Sequence, residues 1–256
     1  MTVRKLSQKR GWAWSFGVAT AKPPLLAIVS RTWIDGTKIP ATGGCIVVCN
    51  HISHLDPLLM AHFVYDHGRI PRYLAKAGVF KNKVLGSFLK AAGQIPVERL
   101  SANAAGAFDA AVEAVRAGEC VVVYPEGTLT RDPDLWPMAG KSGAARIALE
   151  TGCPVIPVGQ WGAQAVLPPY SSKPDLLPRK NVTMKAGDPI DLEDLRAIEP
   201  RTQVVINQAT DRIMDALTAL VAEIRGGQPP AERFDPRKAG VAATGNPRKT
   251  NKKGSA

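Results

Sequence analysis

The sequence predicts an α/β fold: one mostly parallel sheet flanked by helices, with a basic amphipathic N-terminal segment and a disordered basic C-terminal tail. Three observations carry this expectation. Apolar, β-branched runs of four or five residues recur along the chain, as in strands buried on both faces. Between them lie longer stretches with apolar residues three and four apart, the spacing of a helix face. The two patterns alternate from about residue 39 onward, which favours parallel strands joined by helical crossovers.

The elements follow in order. Cys45–Cys49 is a fully apolar strand, and Pro57 opens a helical stretch to about Val64, with Asp56 in the capping position. Arg72–Lys76 and Gln94–Val97 read as strands on either side of a helix near Val84–Ala91. Ser101 caps a helix whose apolar set is Ala104, Ala107, Phe108, Ala111, Val112 and Val115, and Gly118 ends it. Cys120–Tyr124 is a strand, Gly143–Glu150 a helix, and Pro154–Val158 and Val182–Ala186 are strands. A final helix from about Gln203 to Ile224 buries Ile206, Ala209, Ile213, Leu217, Leu220 and Ile224. From Gly226 the chain is rich in Gly, Pro, Lys, Arg and Ala without apolar periodicity, so disorder is expected.

Charge is unevenly placed. Residues 1–22 hold five bases and no acid, and residues 226–256 hold seven bases against two acids. The middle is almost neutral, with 21 bases and 20 acids. Two basic ends suit an anionic surface, lipid headgroup or nucleic acid. The expected division is a membrane-interface segment at 1–24, a folded domain at 25–225 and a disordered basic tail at 226–256.

No stretch suits a membrane span. Thr151–Ser172 is uncharged but carries four prolines, and Gly11–Trp33 is broken at Lys22-Pro23-Pro24 and at Arg31. Trp12, Trp14 and Phe16 beside Arg and Lys read as an anchor lying in the bilayer interface. No signal peptide is expected, and Cys45, Cys49, Cys120 and Cys153 read as reduced, buried thiols of a cytoplasmic protein.

Chemistry concentrates where strands end. After Cys49 comes Asn50-His51-Ile52-Ser53-His54-Leu55-Asp56, in which Asp56 can fix one nitrogen of His51 and leave the other to take a proton. A turn histidine beside a helix cap would look the same. Gly93-Gln94-Ile95-Pro96-Val97-Glu98-Arg99 ends a strand on a guanidinium suited to phosphate or to a salt bridge. Tyr124-Pro125-Glu126-Gly127-Thr128-Leu129 is the third segment, and Pro154–Val158 the fourth, without chemistry of its own. Gly140-Lys141-Ser142 lacks the earlier glycine of a phosphate loop, and no serine-hydrolase elbow or metal-binding histidine set is present.

In this order the four segments resemble the glycerolipid acyltransferase family, of the 1-acylglycerol-3-phosphate acyltransferase type. Asn-His-x-Ser-x-x-Asp is complete at Asn50–Asp56 and Gly-x-Ile-Pro-Val-x-Arg at Gly93–Arg99. The third motif matches at Pro125–Thr128, with Tyr124 for Phe and Leu129 where Arg is common. The resemblance implies His51 as general base oriented by Asp56, and acceptor contacts from Gly93, Arg99, Glu126, Gly127 and Thr128. Lys76 matches a lysine often found there, and Arg131 is a candidate to replace the guanidinium missing at Leu129.

The implied reaction moves a fatty acyl group from acyl-CoA or acyl carrier protein to the hydroxyl of 1-acyl-glycerol-3-phosphate, giving phosphatidic acid without a cofactor. Glycerol-3-phosphate or another lysolipid or glycolipid is the alternative acceptor. The expected setting is membrane lipid at the cytoplasmic face of the cell membrane, peripheral or monotopic, with no nucleic acid. The reading from a different class is a nucleic-acid-binding protein that uses its basic ends, although the neutral body carries no recognition motif.

Overall fold

The computed structural model of the chain describes residues 4–97, 104–242 and 246. Seven strands form one sheet: β1 (Val29–Ile34), β2 (Cys45–Cys49), β3 (Pro71–Lys76), β4 (Ile95–Val97), β5 (Cys120–Val123), β6 (Val155–Trp161) and β7 (Lys180–Ala186). Their order is β1-β7-β6-β2-β5-β3-β4. All neighbours are parallel except β6 and β7. The mostly parallel α/β expectation is met.

The helices are α1 (Trp12–Ile28), α2 (Asp56–Asp66), α3 (Lys83–Ala91), α4 (Ala104–Arg116), α5 (Gly143–Thr151), α6 (Ala163–Val166), α7 (Glu193–Arg196) and α8 (Gln203–Arg225). The period of two along the central strands divides their side chains between two cores. Ile46, Val48, Val121, Val123 and Val155 pack with Val112 of α4, Ile147 of α5, and Ile213 and Leu217 of α8. Val47, Cys49, Val122, Ile156 and Val158 face the other way, onto Leu25 of α1 and Leu59, Met60 and Phe63 of α2. All four cysteines are buried free thiols.

Three expectations need correction. The helix α1 runs through Pro23 and Pro24 rather than breaking there. The two missing N–H groups leave the carbonyls of Ala19 and Thr20 without their usual donors, but all four residues are exposed, so water can serve. The edge strand β1 was not foreseen, because only Val29 of its six residues is buried. Residues 226–242 have neither helix nor strand, yet they dock on the body instead of leaving it. Arg233 pairs with Asp211 at 2.8 Å and with Asp215, and the Phe234 carbonyl accepts the Ala139 N–H at 2.9 Å. Composition alone hid those charge partners on α8.

A buried ion cluster holds the N-terminal elements to this frame. Asp66 at the end of α2 is 1% exposed and accepts bonds from Lys22 at 2.8 Å, Arg31 at 2.9 Å and the Trp33 indole at 3.3 Å. His62, one turn earlier, lies 3.2 Å away. Burial opposes its charge, but His62 and Lys22 together hold the Asp66 carboxyl well below the usual carboxylate range.

Candidate active site

β2 and β5 are neighbours, with Val48 opposite Val123, so the residues that follow each strand meet at one end of the sheet. Asn50 fixes the first turn. Its amide donates to the Gln160 carbonyl at 3.0 Å and accepts the Gln160 N–H at 2.8 Å, while the Gln160 side chain donates to the Asn50 carbonyl at 2.8 Å. His51 emerges from this clamp.

Asp56 does not cap α2. Its Oδ2 turns back and accepts the N–H groups of Ile52 at 2.7 Å and Ser53 at 2.8 Å, and Nδ1 of His51 lies 2.8 Å from the same oxygen. Burial raises the Asp56 carboxyl above its ordinary value, while the histidine and the two amides act to lower it. The Ser53 hydroxyl donates to the Leu167 carbonyl at 2.8 Å, tying the turn to the loop after α6. The His51 ring stacks on Tyr124, with centroids 4.3 Å apart, and borders a cavity.

The loop after β5 supports His51 from behind. Glu126 is 1% exposed, and its Oε1 accepts the His51 N–H at 2.8 Å while Oε2 accepts the Met138 N–H at 3.2 Å. Thr130 completes the grip by donating its N–H to the His51 carbonyl at 2.7 Å. Burial pushes the Glu126 carboxyl up to about 8. With both oxygens on backbone donors, Glu126 ties the His51 turn to the loop that follows β5.

The other expected residues divide. Gly127 lines the cavity beside His51; its φ of 70° favours glycine, and an added Cβ would meet the movable end of Lys141 at 2.8 Å. Thr128 is half-buried in the same loop, beside Tyr170. Arg131 is buried with its guanidinium 4.8 Å over the Tyr170 ring and does not line the cavity beside His51, and Leu129 is buried as well. Gly93 is a turn residue with φ 70°, where a Cβ would strike Arg72, and it lines neither cavity described below. Lys76 ends β3 opposite Val97, a cavity residue, but its side chain lies outside the described atoms. Arg99 lies outside the described residues, as does the cap expected at Ser101.

The cavity beside His51 has a volume of about 340 Å³ and reaches Phe108 of α4 and Ser142-Gly143 at the start of α5. Its basic side chains among the described residues are Lys141 and Arg146. Lys141 belongs to no sequence motif, because its Gly-Lys-Ser setting fits no phosphate loop. Its place, between a strand-end loop and a helix start, was the available signal. A second cavity of about 310 Å³ lies between α1, α2, α3 and β3, bounded by Val18, Leu25, Ala61, Phe88 and Leu89. Tyr73 borders both cavities. Among the described residues, no group of three His, Cys, Asp or Glu is placed to hold a metal ion.

A family model described as Acyltransferase matches residues 31–161, which contain His51, Asp56 and Glu126. The chain is 31% identical over 125 residues to a chloroplastic 1-acyl-sn-glycerol-3-phosphate acyltransferase of Brassica napus, covering 48% of this chain and 35% of that one. It is 32% identical over 135 residues to the 1-acyl-sn-glycerol-3-phosphate acyltransferase of Borreliella burgdorferi, covering 49% and 52%. It thus spans a third to a half of the length of these relatives. The enzyme of the same name from Bacillus subtilis is 27% identical over 157 residues, or 61% and 72%. Among solved structures, the 1-acyl-sn-glycerophosphate (LPA) acyltransferase of Thermotoga maritima superposes with a TM-score of 0.62 at 19% identity, covering 84% and 81%, and so shares the fold.

Proposed function

The chain belongs to the acyltransferase family, and we propose that it transfers a fatty acyl group from an acyl thioester to the free hydroxyl of 1-acyl-glycerol-3-phosphate, giving phosphatidic acid. The observation that carries this reading is His51, held by Asp56 at 2.8 Å on Nδ1, with its other nitrogen left for a substrate. Nε2 takes the acceptor proton as the hydroxyl oxygen attacks the thioester carbonyl carbon. The tetrahedral adduct then expels the thiolate, which recovers the proton from the imidazolium. Asp56 stabilises that imidazolium, so no covalent acyl-enzyme and no cofactor are required.

The two cavities suit the two halves of the chemistry. The cavity lined by Lys141 and Arg146 suits the anionic acceptor, with Arg99 and Lys76 as further phosphate contacts. The apolar cavity behind Tyr73 suits an acyl chain. The donor is acyl-CoA or acyl carrier protein.

No helix among the described residues is long and apolar enough to cross a membrane. Attachment is instead at the surface of the cell membrane, on its cytoplasmic face. Trp12 and Phe16 are 65% and 58% exposed, and both rings meet Phe88 of α3, whose Val84 is 82% exposed. Lys9, Arg10, Lys81, Lys83 and Lys90 are exposed and close in sequence to these apolar residues, with no acid from Arg4 to Ile34 or from Gly68 to Val97.

The test is an assay of purified protein across acceptors and acyl donors, with the acylated position determined. Turnover with 1-acyl-glycerol-3-phosphate above that with glycerol-3-phosphate is expected. No transfer to any glycerol hydroxyl would sink the reading.

A further inference from the structure

A third cavity, of about 190 Å³, lies against the C-terminal segment. Its walls are Glu126, Met138–Lys141 and three residues of the C-terminal segment, Asp235, Pro236 and Arg237. Lys141 borders both this cavity and the one that holds His51, so the two spaces share a cation. Neither Leu129 nor Arg131 borders either space.

The segment that supplies Arg237 is fastened at several points. Arg233 grips α8 through Asp211 and Asp215, and the Phe234 carbonyl accepts the N–H of Ala139. The residue before Ala139, Met138, donates its N–H to Glu126, which in turn holds His51. Asp235 shapes the turn by accepting the Arg237 N–H on Oδ1 at 2.8 Å, and the Val241 N–H closes onto the Pro236 carbonyl at 2.8 Å. Asp235 thus has one oxygen committed to the backbone, and both oxygens of Glu126 are likewise committed. Lys141 and Arg237 bring two cations to the wall of this cavity, and Asp235 brings a carboxylate, a set matched to a phosphate with an attached hydroxyl.

We propose that residues 227–242 form a strap that completes the acceptor site, with Arg237 and Lys141 together taking the phosphomonoester of the lysolipid headgroup. This rests on the acyltransferase reading for its substrate but not for its chemistry, since the cavity would take glycerol 3-phosphate whether or not the protein turns over. The strap makes the headgroup site depend on a segment outside the matched family region, and specificity for a phosphate-bearing acceptor follows from it.

The experiment compares the full-length wild type with Arg237→Ala, Arg237→Lys and Lys238→Ala, the last an exposed neighbour that does not line the cavity. Melting curves are taken with glycerol 3-phosphate, inorganic phosphate or glycerol, and KM is measured for acceptor and donor separately. Glycerol 3-phosphate should raise Tm for wild type and Lys238→Ala more than inorganic phosphate does, and glycerol should not. Arg237→Ala should lose that rise and show an acceptor KM about tenfold higher with the donor KM unmoved, and Arg237→Lys should recover part of both. Two results would overturn the strap site: no Tm rise in wild type, or an Arg237→Ala protein that matches Lys238→Ala in both readouts. A wild type that binds glycerol 3-phosphate through Arg237 without transferring acyl groups would contradict the acyltransferase reading and leave the strap site standing.

Discussion

Replacing Glu126 by glutamine should change both the stability and the pH response of this protein in a calculable way. The carboxylate accepts two backbone N–H groups, from His51 at 2.8 Å and Met138 at 3.2 Å. A glutamine offers one acceptor oxygen and an NH₂ group, so one of the two N–H groups loses its partner and faces another donor. An unsatisfied buried donor costs about 1–3 kcal/mol, and the site is almost fully buried.

The pH effect has a definite sign. Burial holds the Glu126 carboxyl up at about 8, above its ordinary 4.5. A group raised on folding lends stability that is complete below pH 4.5 and is lost as pH climbs through 8. At 1.36 kcal/mol per unit the span gives an upper bound of about 5 kcal/mol, or roughly 10–20 °C of melting temperature for a chain of this size. Melting curves from pH 5 to 9 should therefore fall for wild type and be flatter for Glu126→Gln, with the variant least disadvantaged at pH 9. Activity should drop by about 10²-fold, because the His51 backbone loses its support. Parallel pH curves for the two proteins would refute this account of Glu126.

Two further perturbations test the frame and the membrane face. Asp66→Asn should destabilise the fold by about 3 kcal/mol, because Lys22 and Arg31 lose a buried counter-charge and α1 and β1 lose their tie to α2. The wild type should also lose stability as pH falls below about 4, the direction expected of a carboxyl depressed on folding, and the variant should lack that limb in urea titrations. Removal of residues 1–22 should shift the protein from anionic vesicles to solution, at about 1 kcal/mol per basic residue and less in high salt. Val84→Asp with Leu85→Asp should weaken vesicle binding at unchanged melting temperature, as both residues are exposed; unaltered sedimentation would remove α3 from the membrane face.

The parts of this structure that sequence exposed are those where local chemistry and tertiary role coincide. Cys45–Cys49 and Cys120–Val123 are apolar at every position because they are central and buried on both faces. The helix α8 shows its face plainly, though Met214 and Val221 extend it, and Ile206 and Ile224 are only half-buried. His51 and Asp56 were legible because five residues of one turn bring them together. Contacts between distant segments were not. Asn50 meets Gln160 across 110 residues, and Glu126 meets His51 across 75, which no local pattern encodes. Lys141 and Arg237 are brought to one cavity, across 96 residues, only once the sheet is assembled. The prolines of α1 misled because their cost depends on whether the orphaned carbonyls reach water.

The central claim is that His51 moves the acceptor proton. The most direct measurement is kcat of purified His51→Ala with 1-acyl-glycerol-3-phosphate and an acyl thioester, alongside its melting curve and circular dichroism. The account predicts a folded protein whose kcat falls by about 10²–10⁴-fold, the usual worth of general-base help. A folded His51→Ala protein with turnover near that of wild type would contradict it.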